Sequence, residues 1–188
     1  GLELVRGLAA AGTTVYAIDW DERGVARCEA CGEGVHGRLL DVADGAAYRA
    51  VVDGIMTREQ AIDFLFNNAG VTLLGEAHKV PFERWTWLLD INVMGVVHGI
   101  AHVYPLMAAR GAGHIVNTAS IAGGTGYATA AAYTASKACV LEITRSLRAE
   151  ARGLGVRVSD ACPGYVRTNI FQPERTVGAE LGLVMADL

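Results

Sequence analysis

The chain has 188 residues, of which 52% are hydrophobic and 19% are charged, a composition typical of a globular protein rather than a disordered one. Its 20 Asp and Glu residues outnumber its 16 Lys and Arg residues, and the net charge of −4 gives no general attraction to nucleic acid. The length predicts one domain over residues 1–188.

The predicted elements alternate between helices and strands along the chain. Residues 2–11 have apolar side chains at helical spacing and stop at Gly12, a common C-terminal cap. Further helices are predicted at 21–31, 45–57, 82–109 and 130–152, and strands at 14–19, 36–40, 62–66, 114–117 and 156–161. This alternation predicts an α/β fold with a doubly wound parallel sheet and helices on both faces.

The apolar stretches are interrupted before they reach membrane-spanning length. His98, His102, Asn67 and several glycines break them, and no charged segment followed by an apolar one opens the chain. The sequence therefore predicts a soluble cytoplasmic protein without a membrane partner.

Two pairs of side chains have spacings that metal ligands can have. Cys28 and Cys31 are three residues apart without a second such pair, and His98 and His102 are four apart without the Glu of a metalloprotease motif. We therefore predict no metal site, and we interpret the histidines as packing or interface residues.

Polar or turn-forming residues follow the predicted strands. They are Asp19, Asp41, the group Asn68, Ala69 and Gly70, then Ser120, and finally Pro163 and Gly164. Each one alone is an ordinary turn signal. In a doubly wound sheet, however, ligands bind at the carboxyl ends of the strands, and five successive polar ends predict a binding site there.

Tyr133 and Lys137 lie four residues apart on a predicted helix, and Ser120 precedes the tyrosine by thirteen residues. Side chains at i and i+4 share one helix face, so the phenol and the ammonium are expected to point at the same spot. A nearby cation favours phenolate over phenol, and a tyrosine with a lowered pKa can exchange a proton with a hydroxyl group.

The same spacing is common on helices that have no catalytic role, and Ser120 could simply cap the loop after a strand. Among the 16 basic residues, however, only Lys79 and Lys137 are lysines. A compact ammonium can reach a phenolate and ribose hydroxyls together, whereas a planar guanidinium fits such a place less well. The combined spacing of the three residues favours the catalytic interpretation.

These residues occur with three further motifs, Asn-Asn-Ala-Gly at 67–70, Asp-Ile-Asn-Val at 90–93 and Pro-Gly-Tyr-Val-Arg-Thr at 163–168. Together they resemble the short-chain dehydrogenases/reductases, and the resemblance extends from Gly1 to about Thr168. It implies a Rossmann-like fold and an oxidoreductase that interconverts a secondary alcohol and a ketone with NAD or NADP.

The resemblance also implies the roles of the catalytic residues. Tyr133 would be the acid/base, and Ser120 would orient the substrate hydroxyl or carbonyl. Lys137 would bind the nicotinamide ribose and lower the pKa of the tyrosine. Asn92 would hold a water molecule that continues the proton relay to solvent.

Asp19 predicts which dinucleotide is used. A carboxylate after the second strand of this fold accepts hydrogen bonds from the adenosine ribose and repels a 2′-phosphate, which favours NAD over NADP. Its distance from Gly1, eighteen residues, agrees with the roughly twenty expected after the glycine motif.

The resemblance assigns the remaining cofactor contacts to four groups. Asp41 and Val42 would flank the adenine, and Asn68, Ala69 and Gly70 would line the adenosine ribose. Val166 and Thr168 would meet the carboxamide and the phosphates, with Pro163, Gly164, Tyr133 and Lys137 completing the site.

The chain departs from the family pattern at both ends. Gly1 resembles the last glycine of the glycine-rich turn, and the strand before that turn is absent from the sequence. Because that strand is central in the family's sheet, we expect a gap in the sheet with unpaired backbone groups on both neighbours. We also expect the family's last strand to lie beyond Leu188, so these residues are interpreted as part of a longer product.

Three points stay open at this stage. The apolar tail, with Ile170, Phe171, Leu181, Leu183, Val184 and Met185, could cover the substrate or a partner subunit. An NAD-using epimerase or dehydratase of the related extended group, or a non-catalytic dinucleotide sensor, remains an alternative function. The two long helices at 82–109 and 130–152 predict a homodimer or homotetramer.

Overall fold

The computed structural model describes residues 1–166, 168, 170 and 175–177. The helices are α1 (Leu2–Ala10), α2 (Glu22–Glu29), α3 (Gly45–Glu59), α4 (Phe82–Leu89), α5 (Gly95–Arg110) and α6 (Ala131–Ala151). The strands are β1 (Val15–Asp19), β2 (Val35–Leu39), β3 (Phe64–Asn67), β4 (Leu74–Gly75), β5 (Gly113–Thr118), β6 (Val156–Ala161) and β7 (Thr176–Val177). Of the apolar tail, Phe171, Leu181, Leu183, Val184 and Met185 lie outside the described residues.

All strand pairs among the described residues are parallel, which confirms the predicted α/β fold. β1 pairs with β2, and β5 lies between β3 and β6. In the described part of the chain, no hydrogen-bonded pairing joins β1 to β3. The main sheet is therefore divided into a two-stranded and a three-stranded part at the expected position.

The helices cover both faces of these strands. Under α1 and α2, Val5 packs with Val15, Ala17 and Cys28 in one apolar cluster. On the opposite side, a larger cluster joins residues of α3, α5, α6 and the strands; its fully buried members include Val103, Met107 and Ile115. Successive side chains of β1 point to opposite faces of the sheet, which separates the two clusters. Val15 and Ala17 face the first cluster, while Ile18 packs against the second.

Short polar side chains fix where the helices begin. The Asp21 carboxylate caps α2 by accepting a hydrogen bond from the backbone N–H of Arg23, and Asp44 caps α3 through the N–H groups of Ala46 and Ala47. These caps set the direction in which each helix leaves the carboxyl end of the preceding strand.

The predicted long helix at 82–109 is present as one helical run, but its middle is not α-helical. A π-helix over Asp90–Met94 separates α4 from α5. π-Helical turns contain one extra residue and occur often at functional sites. The side chain of Asn92 is fully buried in this turn and bonds to the loop that follows β3, so a tertiary contact stabilises the wider turn.

The helical run Phe82–Arg110 spans 29 residues and is apolar enough, by length and composition alone, to cross a membrane. The expectation that every apolar stretch is interrupted below that length is therefore wrong for this run. Its buried residues include Leu88, Val96 and Val103, and α5 contacts α3, β3 and β5. Packing against the sheet accounts for part of the apolar composition, since 33% of the most apolar stretch of this run is buried.

The short pair β4 and β7 has no counterpart among the predicted elements. Leu74 pairs with Thr176, and Gly75 pairs with Val177. Gly75 has a φ of 157°, and a Cβ at this position would lie 2.6 Å from the carbonyl oxygen of Val177. Two-residue strands leave no period for a sequence pattern to show.

Candidate active site

Helix α6 places Tyr133 and Lys137 side by side at one end of the three-stranded sheet. The Lys137 side chain is 3% exposed, and its Nζ lies 5.9 Å from the centroid of the Tyr133 ring. The same Nζ donates a hydrogen bond of 2.9 Å to the carbonyl oxygen of Thr118, the last residue of β5. The strand end therefore holds the cation beside the phenol.

Ser120 joins them from the loop that follows β5. Its Oγ accepts a hydrogen bond of 3.1 Å from the N–H of Ala122 and so caps the short helix Ile121–Gly123. The Ser120 side chain also acts on the phenol of Tyr133, whose pKa it lowers. The structure thus gives Ser120 both the capping position and contact with the tyrosine.

Burial dominates the titration of this group. It raises the pKa of Tyr133 above its usual value, and the hydrogen bond from Ser120 opposes the rise. Burial also lowers the pKa of Lys137 to about 8. Desolvation outweighs the effect of Ser120, so the pKa of Tyr133 is raised overall, and a lowering of that pKa by Lys137 stays a prediction.

Asn92 uses its side chain to hold the backbone together. Its Oδ1 accepts from the N–H of Val71 at 2.8 Å, and its Nδ2 donates to the carbonyl oxygen of Val71 at 2.9 Å. The Nδ2 also donates to the Oγ of Ser136 at 3.0 Å, and that hydroxyl donates to the carbonyl oxygen of Tyr133 at 2.7 Å. The side-chain amide of Asn92 therefore forms its hydrogen bonds with protein groups.

Ser136 is a residue of this site that the sequence analysis missed. It is fully buried and links the π-helix to the first turns of α6. In the sequence, only its position directly before Lys137 indicates a role at the site. A serine on a helix has no functional meaning by itself unless its hydrogen-bond partners are known.

Gly70 brings the loop after β3 close to Lys137 and Asn92. A Cβ built on Gly70 would lie 3.3 Å from the Nζ of Lys137 and 3.3 Å from the Oδ1 of Asn92. Ala69, the preceding residue, is exposed. The loop after β3 therefore approaches the catalytic candidates closely and stays open to solvent on its other side.

Asn68 connects this loop to α1. The Oδ1 of Asn68 accepts a hydrogen bond of 3.4 Å from the Oγ1 of Thr118, and a Cβ on Gly1 would lie 3.2 Å from its Nδ2. Helix α1 begins after Gly1 without a side-chain cap. The N–H groups of its first turn have no partners within the helix and face the same end of the sheet.

Asp19 ends β1 and is partly exposed. Its Oδ1 accepts a hydrogen bond of 3.1 Å from the N–H of Asp21, and within the described residues its carboxylate has no ion-pair partner. Acceptor positions on this carboxylate are therefore available to a ligand.

Asp41 and Val42 follow β2 but differ in their surroundings. Asp41 is exposed and accepts a hydrogen bond from the N–H of Ala43 at 3.0 Å. Val42 is half-buried, and its carbonyl oxygen lies 2.9 Å from the Nδ1 of His98. A Cβ on Gly95 would lie 2.7 Å from the Cγ2 of Val42, so this valine packs closely on α5.

The candidates after β6 lie beside the loop that carries Ser120. The carbonyl oxygen of Pro163 accepts a hydrogen bond of 3.3 Å from the N–H of Ile121, and Gly164 approaches the same residue. Val166 and Thr168 are exposed. The structure brings Pro163 and Gly164 to the loop that carries Ser120, and it places neither Val166 nor Thr168 in contact with Ser120, Tyr133 or Lys137 through any described hydrogen bond.

A chain of buried polar groups under the site was also missed. The Nδ2 of Asn67 donates to the Oδ1 of Asn117, and the Nδ2 of Asn117 donates to the Oγ1 of Thr144, both at 2.8 Å. Asparagines within apolar strands are a weak signal of such a chain. It links β3, β5 and α6 and thereby fixes the strand ends relative to the helix that carries Tyr133.

The suspected metal ligands do not assemble. Among the described residues, no group of three or more His, Cys, Asp or Glu side chains is arranged to hold a metal ion. His98 contacts the carbonyl oxygen of Val42, and Cys28 and Cys31 are free thiols.

Comparison with known proteins places this arrangement in a family. Residues 1–177 match the family model for short chain dehydrogenases. The 2-(R)-hydroxypropyl-CoM dehydrogenase of Xanthobacter autotrophicus is 35% identical over 180 residues, which are 92% of this chain and 72% of that protein. An NADP-dependent 3-hydroxy acid dehydrogenase of Salmonella typhi is 38% identical over 148 residues, 78% of this chain and 60% of that protein.

The crystal structure of a short chain dehydrogenase/reductase from Burkholderia phymatum, in complex with NAD, superposes with a TM-score of 0.84 at 34% identity. The match covers 90% of this chain and 64% of that one. This chain thus spans less than two thirds of the length of the Salmonella and Burkholderia proteins. The shared model, sequence identity and fold show that the chain belongs to the short chain dehydrogenase family.

Proposed function

We propose that the full-length protein is an NAD-dependent oxidoreductase that interconverts a secondary alcohol and a ketone by hydride transfer. One observation carries the proposal: the Ser120 hydroxyl acts to lower the pKa of the Tyr133 phenol, and the ring of Tyr133 lies 5.9 Å from the Nζ of the buried Lys137. A proton donor and acceptor beside a second hydroxyl and a cation suits the exchange of a proton at an alcohol or carbonyl oxygen.

The residues present fit the dinucleotide that the family implies. The uncapped first turn of α1 offers N–H groups suited to a diphosphate, and Asp19 offers acceptors suited to ribose hydroxyls. The Nζ of Lys137 lies close to the backbone of Gly70, and an ammonium at this place suits the hydroxyls of the second ribose. The bound nicotinamide would accept or supply the hydride.

Tyr133 would exchange the proton at the substrate oxygen. Because burial raises its pKa, the phenol is protonated at neutral pH and ready to donate to a carbonyl oxygen during reduction. During oxidation it must first lose that proton, and the hydrogen bond from Ser120 favours the loss. The Ser120 hydroxyl would also hold the substrate oxygen next to the phenol.

Lys137 and Asn92 would support this proton exchange. The ammonium, fixed by the carbonyl oxygen of Thr118, would hold ribose hydroxyls in place. Because the Asn92 amide is committed to Val71 and Ser136, we assign the water of the proposed relay to the backbone carbonyl of Asn92. A π-helical turn alters the usual carbonyl partners, which supports this assignment.

The preference for NAD over NADP is part of the proposal and rests on Asp19. A carboxylate at the end of β1 would repel a 2′-phosphate. Similar proteins use either cofactor: the Salmonella protein is NADP-dependent, and the Burkholderia structure contains NAD. The side chain at the strand end therefore carries the choice.

A substrate screen tests the function. The full-length protein is mixed with a panel of secondary alcohols and either NAD⁺ or NADP⁺, and formation of the reduced cofactor is followed by absorbance. We expect turnover with NAD⁺ that disappears in Tyr133→Phe, whereas dinucleotide binding measured by calorimetry stays near that of the unmodified protein. Binding of NAD without turnover on any alcohol or ketone would instead favour a dinucleotide sensor.

A further inference from the structure

Gly24 lies in the first turn of α2, against the carboxylate of Asp19. A Cβ built on Gly24 would lie 2.3 Å from Oδ2, 2.4 Å from Cγ and 2.9 Å from Oδ1 of that side chain. Atoms do not approach a real Cβ so closely, so the carboxylate occupies space that exists only because residue 24 is a glycine.

The helix itself gives no reason for a glycine at this position. Gly24 is not among the residues with positive φ, and glycine in a helix interior is about 0.5–1 kcal/mol less favourable than alanine. Tight packing against the sheet is provided elsewhere, because Gly37 of β2 is the residue that leaves room for Val25 and Glu29. The explanation that remains for a glycine at position 24 is that it leaves room for the Asp19 carboxylate.

We propose that Gly24 is a specificity-determining positioning residue, which sets the choice between NAD and NADP by seating the Asp19 carboxylate against α2. The inference rests on the proposed function. The seat is completed by the N–H of Asp21, which donates to Oδ1 of Asp19 at 3.1 Å. The N-terminal half of a helix also favours a negative charge, so the carboxylate is held at a fixed place.

The atoms around Gly24 determine what an added methyl group would displace. The three atoms that a Cβ would meet belong to the end of the Asp19 side chain, which rotates more easily than a backbone moves. Gly24→Ala should therefore displace the carboxylate and leave the fold in place. A displaced carboxylate would no longer be placed to accept hydrogen bonds from the ribose hydroxyls, and it would repel a 2′-phosphate less.

The experiment measures the dissociation constants of NAD and NADP for the full-length protein by calorimetry. Gly24→Ala is expected to lower the preference for NAD about tenfold, the size of a weakened hydrogen bond to a charged group. Gly54→Ala is the matched control, since Gly54 also lies in a helix and a Cβ there would meet nothing within 4 Å. The control should keep the original preference.

Two further variants isolate the role of Asp19. In an Asp19→Ser background, Gly24→Ala should cause no further change in preference, because the group that it displaces is gone. Asp19→Glu keeps the charge but cannot seat the longer side chain over Gly24, and it should also lower the preference. This second variant decides the question if Gly24→Ala does not fold.

The outcomes separate this inference from the proposed function. An unchanged NAD preference in Gly24→Ala or Asp19→Glu, or an equal effect of Gly24→Ala with and without Asp19, would overturn the role of Gly24 alone. A full-length protein that binds neither dinucleotide would overturn the proposed function and this inference with it.

Discussion

The ammonium of Lys137 is held by the backbone carbonyl of Thr118, 2.9 Å away, in a place where only 3% of the residue is exposed. Thr118 ends β5 and Lys137 lies in the second turn of α6, so this one bond ties a strand end to the catalytic helix. Removing the charge from water lowers the pKa of Lys137 to about 8. The site therefore retains a cation at a cost in stability.

Lys137→Met should stabilise the protein at pH 7 while it abolishes activity. We expect a gain of about 2 kcal/mol in the free energy of unfolding, the cost of burying the charge less the lost hydrogen bond. The folded-state pKa lies below the unfolded value of about 10.5, so the unfolded chain binds more protons between these values and the stability of the unmodified protein rises with pH there.

The difference between the two proteins should accordingly shrink as the pH increases from about 8 toward 10.5. Denaturant unfolding at several pH values measures it. Lys79→Met is the control, because Lys79 is partly exposed and paired with Glu76, and it should show no such dependence. A Lys137→Met protein that is less stable than the original at pH 7 would contradict this account.

Ser120→Ala should move the pH profile of alcohol oxidation toward higher pH. The hydrogen bond from Ser120 opposes the rise in the pKa of Tyr133, so its removal should raise that pKa further and require more alkaline conditions for the phenolate. The measurement is kcat against pH in the oxidising direction. Ser146→Ala, which changes an exposed serine of α6, serves as the control. An unchanged profile in Ser120→Ala would mean that the Ser120 hydroxyl does not influence the ionisation of Tyr133.

Ser136→Ala should lower kcat more than it changes KM. The buried hydroxyl joins the amide of Asn92 to the backbone of Tyr133, and without it the π-helix and α6 lose their direct link. We expect a loss in kcat of about tenfold and a loss in stability of about 1–2 kcal/mol.

Thr144→Val provides the comparison for Ser136. Thr144 is an equally buried hydroxyl of α6 that accepts a hydrogen bond from Asn117, away from Tyr133. Its replacement should reduce stability by about 1–3 kcal/mol because it leaves a buried amide without its partner. Equal losses of kcat in both variants, measured at a temperature where both are folded, would mean that Ser136 acts through stability alone.

Sequence periodicity predicted the parts of the molecule that depend on local pattern. The helix that carries Tyr133 and Lys137 was predicted within one residue at each end, since apolar spacing marks its buried face. β6 was predicted with its observed bounds, 156–161. The convergence of strand ends followed from the parallel topology, which brings Ser120 to the tyrosine.

The features that sequence could not supply depend on contacts between distant segments. The π-helix at Asp90–Met94 is stabilised by Val71, and the seat of Asp19 depends on the missing side chain of Gly24. The direction of the shift in the Tyr133 pKa could not be predicted either, because burial determines it and residue spacing does not reveal burial. Each of these is a matter of packing rather than of local pattern.

The outward face of α6 supports the proposed assembly into a homodimer or homotetramer. Its exposed residues include Cys139, Glu142, Ser146 and Glu150, beside the apolar Ile143. Cys139 and Ser146 are small and Ile143 is apolar, and such side chains suit the approach of a second helix. Ser146→Arg places a long charged side chain in the middle of this surface and should shift the full-length protein toward monomer.

Light scattering over a range of concentrations measures the mass of each variant. Ala50→Arg is the control, because Ala50 is an exposed residue of α3 and its replacement adds the same charge away from α6. We expect the control to keep the mass of the unmodified protein, because a charge on that helix meets no partner. A monomeric mass for the unmodified protein at every concentration would rule out the assembly, and an oligomer that survives Ser146→Arg would move its interface away from this face of α6.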